Sequence, residues 1–183
     1  MTRSARATLG FTLTELLVTL AIAGILAMIG APAMARLLAH TRGASAEASI
    51  AMSLRHARTA AIMHNQRVVA CPSANGQACD DSSEWQHGWI IADDADHDGQ
   101  PDAGTPIIAT FPAMSPGSRI TTSAGRKRVA FHPNGSAAGS NASFTICNAR
   151  SGDGEAVVVS NAGRVRESTP SAQRLQDCLA GLQ

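Results

Sequence analysis

This chain of 183 residues has no tyrosine, and Trp85, Trp89 and four phenylalanines are its whole aromatic complement, 3% of the sequence. A core drawn from Val, Ile, Leu, Ala and Met is thin, because aromatic side chains carry the largest buried areas. Small domains with thin cores commonly add disulfides. Catalytic signatures are missing as well: there is no GxSxG elbow, no Walker loop, no HExxH pair and no dinucleotide fingerprint. His132, before Pro133 and Asn134, reads as the junction of a strand with a turn. No catalytic residue and no cofactor are expected. The four cysteines form no CxxC pair and the six histidines show no ligand spacing, which argues against zinc. Strong net charge is lacking too. A formal charge of +1 excludes a polycation that binds nucleic acid by bulk charge alone.

What the chain does have is one long apolar run. From Phe11 to Ala35 the only charged side chain is Glu15, and the ~20 apolar residues that a helix needs to cross a bilayer are available. Arg3 and Arg6 precede the run and favour a cytoplasmic N-terminus, with everything after Ala39 facing outward. A secretory signal is cut behind its apolar stretch, whereas the hexapeptide Gly10-Phe11-Thr12-Leu13-Thr14-Glu15 lies in front of it. A carboxylate inside an apolar helix is costly unless it is paired or snorkels to the interface. Pro32 lacks a backbone donor and should kink or locally melt its helix.

The hexapeptide and the run behind it resemble the processing site of type IV prepilins. The resemblance implies that a prepilin peptidase cuts between Gly10 and Phe11 and methylates Phe11. The retained helix would anchor the chain once in the inner membrane, with a periplasmic head, before assembly into a pilus. Glu15 would pair with a free N-terminal amine, its own or a neighbouring subunit's. Other major and minor pilins are the implied partners, and the pilus tip is the expected position.

Four segments follow: a leader over 1–10, a membrane half of the helix over 11–38, an amphipathic half over 39–66, and a head over 67–183. Within Ala44 to Gln66, Ile50, Leu54, Ala57 and Ala61 recur at helical spacing, and Arg55 and Arg58 fall close together on the surface. From Arg67 onward, short β-type runs alternate with Gly, Pro, Asn and Asp: Arg67 to Ala70, Trp89 to Ala92, Ile107 to Phe111, Val129 to Phe131, Phe144 to Cys147 and Ala156 to Ser160. Six or seven strands and an α+β head are predicted, with the helix packed on antiparallel sheet. Four cysteines allow three connectivities. The turn-rich stretch between Cys71 and Cys79 favours local pairing, which leaves Cys147 for Cys178.

Several head segments resemble the FimT/GspH family: Asn65-Gln66-Arg67-Val68 leading into Cys71-Pro72-Ser73, Gly88-Trp89-Ile90, Phe131-His132-Pro133-Asn134-Gly135, and Val158 through Arg166. This family comprises minor pilins of type IV pili and minor pseudopilins of type II secretion. The resemblance implies a long N-terminal helix on a head of two antiparallel sheets. FimT members in naturally transformable bacteria carry a C-terminal GRxR motif that binds DNA, and Gly163-Arg164-Val165-Arg166 matches it. The implied function is non-specific binding of double-stranded DNA for uptake. The alternative is a structural minor pilin or secretion pseudopilin that primes or caps a filament without binding DNA.

The tetrapeptide has a chemistry of its own. In an extended segment Arg164 and Arg166 project from one face and Val165 from the other, and guanidinium forks bind phosphate oxygens bidentately. Gly163 would allow close approach of a phosphate. Alternatively, the two arginines are simply solvated, or pair with Glu167. Charge is unevenly spread: Cys71 to Ser118 holds eight acids and no Lys or Arg, whereas from Arg119 onward eight bases face four acids. Arg126 and Arg128 would share a strand face, making Gly125-Arg126-Lys127-Arg128 a second candidate DNA contact. Finally, Asp94-Ala95-Asp96-His97-Asp98-Gly99 opens like a calcium loop, but Thr105 stands where a bidentate Glu is needed, though Asp102 could serve. An acidic turn is the favoured reading, and no metal is assigned.

Overall fold

The structure is a computed structural model that describes residues 12–149 and 151–182. Gly10 and Phe11, where cleavage and methylation are expected, lie outside the described residues. Thr12 opens the first helix by accepting the Glu15 amide on its hydroxyl at 3.3 Å. Asn65 closes it with a left-handed φ of 53°, a conformation that Asn tolerates and that stops a helix. Between them α1 runs from Leu13 to His64. The chain divides into two compact units, Met1–Leu37 and Leu38–Gln183, and α1 contributes to both.

In the first unit the apolar side chains of α1, among them Leu16, Leu17, Leu20 and Ile25, are exposed. The helix is long and apolar enough to cross a membrane. Glu15 sits in its first turn. Pro32 lies inside α1 and the helix continues through it, so the local melting expected there does not occur.

In the second unit the remainder of α1 carries a small-residue face. Ile50, Leu54, Ala57 and Ala61, picked out by their spacing, are all fully buried, together with Ala46 and Ala51. Two four-stranded antiparallel sheets pack with it in one cluster. The first has the order β3-β2-β1-β5, with β1 at Val68–Pro72, β2 at Trp89–Asp93, β3 at Ala109–Phe111 and β5 at Val129–Phe131. The second has the order β4-β6-β7-β8, with β4 at Ser118–Thr122, β6 at Ala142–Asn148, β7 at Gly154–Val159 and β8 at Val165–Ser168.

β1 and β2 are buried along their whole length, because the first sheet is covered on both faces. One face meets α1; the other holds a smaller cluster of Val69, Cys71, Cys79, Ile90 and Ala92. The scarce aromatics are concentrated in the main core. Trp85 stands edge-on to Phe144 at 4.8 Å, and Trp89 stacks on Phe111 at 5.1 Å.

Among the described residues eight strands replace the six or seven predicted, and a second helix, α2 at Ala172–Ala180, was not anticipated. Both disulfides are those that loop length favoured, Cys71 with Cys79 and Cys147 with Cys178. The second ties α2 to β6. Arg119 of β4 adds to this anchor: its Nη1 donates to the carbonyls of Asp177 and Cys178 at 3.2 and 3.1 Å, while Nη2 reaches Glu84 at 2.5 Å. That hydrogen bond is the main reason the Glu84 carboxyl is held below the usual range.

Replacing Cys147 and Cys178 together by serine should cost about 2–4 kcal/mol of head stability, the usual value for a bridge of this kind. Denaturation followed through the fluorescence of buried Trp85 and Trp89 checks this. A midpoint equal to that of the parent chain would mean that Arg119 alone holds the tail.

Candidate nucleic-acid interface

The β7–β8 hairpin turns through Ser160-Asn161-Ala162-Gly163-Arg164. The Ser160 amide donates to the Arg164 carbonyl at 3.1 Å and the Gly163 amide to the Ser160 carbonyl at 2.8 Å. Gly163 is buried at φ 73°, and a Cβ there would collide with the Gly135 carbonyl. Gly135, at φ 75°, belongs to the turn that follows β5. Its carbonyl accepts from Arg58 Nε of α1 at 2.9 Å, and the Ala137 amide donates to the Asn161 carbonyl at 2.9 Å. Two turns and one helix side chain are thus interlocked. The space beside Gly163 is filled by Gly135 and Arg58, which corrects the expectation that Gly163 admits a phosphate. Its role is to let the two turns touch.

Beyond the turn, Val165 packs on the core while Arg164 and Arg166 are exposed, the alternation expected of an extended segment. They border an open cleft of about 600 Å³ whose other wall is Arg55, Arg58 and Thr59 of α1. Four arginines from two elements therefore meet at one cavity. Sequence reasoning placed Arg55 and Arg58 side by side on the helix but had no signal for which strand would lie next to them. Among the described residues the Arg164 and Arg166 side chains have no carboxylate partner. Glu167 pairs instead with Arg55 at 3.2 Å, both side chains about half exposed. Elsewhere on α1, burial first, then the charges of Glu155 and Glu167, raise the Glu47 carboxyl above the ordinary range.

The second basic cluster is arranged differently from expectation. Arg126, Lys127 and Arg128 lie in the loop between β4 and β5, not on a strand face. Arg126 donates to the Gly139 carbonyl at 2.7 Å, Lys127 pairs with Asp81 at 2.7 Å, and Arg128 donates to the Gly99 carbonyl at 2.7 Å. Their polar groups fasten loops, and none of the three lines the Arg164 cleft.

In the acidic loop, the carboxylates of Asp94, Asp96 and Asp102 come within 4.8 Å of one another. Their oxygens are largely engaged. Asp102 accepts the Ala95 amide on both oxygens, at 3.0 and 2.9 Å, and Asp94 accepts the Gly99 amide at 2.9 Å. The other Asp94 oxygen is fully buried and faces Arg67 Nε at 3.3 Å, an ion contact without hydrogen-bond geometry. Burial is the main cause of the raised Asp94 carboxyl, and the Gly99 amide and Arg67 oppose it. Arg67 is the counter-charge here, which suits the acidic-turn reading.

Residues 46–163 match the family model of the type II transport protein GspH. The chain belongs to the GspH family. The prokaryotic N-terminal methylation motif matches residues 6–31, across the hexapeptide and the apolar run. The fold is similar to that of the type IV minor pilin FimU of Pseudomonas aeruginosa, at 17% identity and a TM-score of 0.56, over 72% of this chain and 95% of that one. It is also similar to the minor pseudopilin EpsH from the type 2 secretion system of Vibrio cholerae, at 11% identity and a TM-score of 0.51, over 71% and 98% of the two chains. No curated protein matches the chain. A pilin-like fold, a long N-terminal helix with a two-sheet head, thus accompanies membership of this family of minor pilins and pseudopilins. The GspH match ends at Gly163, just before Arg164 and Arg166.

Two substitutions separate shape from charge. Gly163→Ala should destabilise the head by about 1–3 kcal/mol, from the left-handed φ and the collision with Gly135, and a thermal melt reads the loss. Arg67→Gln should cost about 3 kcal/mol or more near neutral pH, because it strands a buried carboxylate. A carboxyl whose folded pKa lies above its unfolded one favours folding when protonated. The Arg67→Gln deficit should therefore be small in acid and grow as pH rises through the folded value. A pH-independent deficit would show that Asp94 is not its source.

Proposed function

We propose that this GspH-family chain is a minor type IV pilin whose head binds double-stranded DNA without sequence preference, for DNA uptake in natural transformation. The observation that supports it best is the cleft between α1 and the β7–β8 hairpin, where Arg164 and Arg166, without a carboxylate partner among the described residues, stand opposite Arg55 and Arg58. Each guanidinium can present two parallel donors to phosphate oxygens. Such contacts set affinity and carry no sequence information. Among the described residues no aromatic side chain lines the cleft, so base stacking has no platform there.

In this reading a prepilin peptidase cuts between Gly10 and Phe11, and α1 anchors the chain in the inner membrane with a periplasmic head. Assembly with other pilins, through the apolar half of α1 and Glu15, then carries the head to the pilus tip. Arg126, Lys127 and Arg128 are left out of the interface because their polar groups are spent on loop contacts.

The test is a titration of labelled duplex DNA with the full-length chain in detergent, read by fluorescence anisotropy at two salt concentrations. With about three phosphates neutralised, log K should fall with log salt at a slope of about −3, and the dissociation constant should lie in the micromolar range or weaker. Arg164→Gln combined with Arg166→Gln should abolish binding and leave the melting temperature unchanged, since both side chains are exposed. Absence of binding at low salt by the parent chain would leave the structural role, a pilin or pseudopilin that primes or caps a filament.

A further inference from the structure

Two arginines of the cleft wall belong to α1, and their partners differ in kind. Arg58 spends its Nε on the Gly135 carbonyl at 2.9 Å in a part-buried position, so it is fixed by the turn it supports. Arg55, one turn earlier on the same helix face, has among the described residues one side-chain polar contact, Nη2 to Glu167 Oε1 at 3.2 Å, and the two side chains are 53% and 55% exposed. So open an ion pair gains little over the hydrated charges. A carboxylate in that place presents to the guanidinium the same kind of anionic oxygen that a phosphodiester would.

The chain order makes the arrangement specific. Glu167 directly follows Arg166, and in β8 it projects from the same face as Val165, toward α1, while Arg164 and Arg166 alternate with it. An acid one residue from the DNA-contacting arginines would repel phosphate if it were free. Held against Arg55, it is neutralised, and it keeps the Arg55 guanidinium beside the cleft. The charges of Glu155 and Glu167 both act on Glu47 and help to raise its carboxyl, after burial.

We propose that Arg55 is a third phosphate ligand of this cleft, and that Glu167 holds it in the DNA-free protein as an internal stand-in for phosphate, exchanged for the backbone when DNA binds. The inference rests on the reading that this cleft takes the phosphodiester backbone of DNA, and it adds to that reading a helix-borne ligand and a built-in competitor. Affinity is then set partly by Glu167, which opposes binding.

The experiment is a set of duplex-DNA titrations of the full-length chain in detergent, at several salt concentrations, with Arg55→Gln, Glu167→Gln and the two combined. Both residues concerned are exposed, and a melting curve for each variant verifies that the head stays folded. Arg55→Gln should weaken binding roughly three- to tenfold and lower the magnitude of the salt slope by about one, as loss of one phosphate contact requires. Glu167→Gln should tighten binding roughly two- to fivefold, the worth of an exposed pair that no longer has to be broken. The combined variant should bind more weakly than Glu167→Gln alone, with the lower slope of Arg55→Gln.

If Arg55→Gln keeps the parent affinity and slope while the Arg164 and Arg166 double variant loses binding, the cleft reading stands and Arg55 is not a ligand. If the combined variant matches Glu167→Gln in affinity and slope, Arg55 merely neutralises Glu167, and the proposal is overturned. Failure of the parent chain to bind DNA at all would instead remove the reading on which the proposal rests.

Discussion

The small-residue face of α1 sets the geometry of the head. Ala46, Ala51, Ala57 and Ala61 place almost nothing between the helix axis and the strands, with Ile50 and Leu54 as the larger anchors. A chain with so few aromatics cannot fill a wide gap, and dense packing leaves no voids. Close approach of helix to sheet is the solution that such a composition allows. The edge of the second sheet is thereby drawn alongside the other side of the helix, where Arg55, Arg58 and Thr59 meet the β7–β8 hairpin. The cleft is a by-product of how thin the core is.

The same constraint explains why two glycines sit at its base. Gly135 and Gly163 both adopt left-handed φ and touch through backbone atoms, with Arg58 bridging from α1. A side chain at Gly163 would push the turns apart and move Arg164 with them, while one at Gly135 would press on Ile62 and Arg58 of α1. Residues that belong to recognisable motifs, the His132-Pro133-Asn134-Gly135 turn and the Asn161-Ala162-Gly163 turn, thus act as a mount. The groups available to a ligand are their neighbours in the chain.

How much of this could be read from the sequence follows from which forces are local. Helix periodicity is local, so Ile50, Leu54, Ala57 and Ala61 declared the buried face of α1. The disulfide partners followed from the short loop between Cys71 and Cys79. Strand β4 was missed because Ser118-Arg119-Ile120-Thr121-Thr122 offers a single large apolar side chain, and its pairing with β6 supplies the rest. Strand β8, Val165-Arg166-Glu167-Ser168, is a polar edge strand whose extended form comes from registry with β7. Helix α2 has Leu175, Cys178 and Leu179 on an otherwise polar segment, too few to stand out, and it is retained by the disulfide and Arg119. The arginine cleft was half legible: Arg164 and Arg166 were visible as a motif, whereas their proximity to Arg55 is a tertiary fact.

Charge distribution along the chain misled in an instructive way. The acids between Cys71 and Ser118 and the bases after Arg119 look like two opposed patches, yet the fold uses one to neutralise the other. Glu84 takes Arg119 and Asp81 takes Lys127, while Arg128 caps backbone carbonyls of the acidic loop and Arg67 serves Asp94. What this cancellation leaves near the β7–β8 hairpin is a handful of arginines, one of them held by Glu167. A site of three or four cations gives at most micromolar affinity for a nucleic-acid backbone at physiological salt. In the proposed DNA-binding role, a single head is therefore a weak ligand for a duplex. The work requires either several heads on one filament or a second binding subunit, because only a raised effective concentration can add affinity without adding contacts.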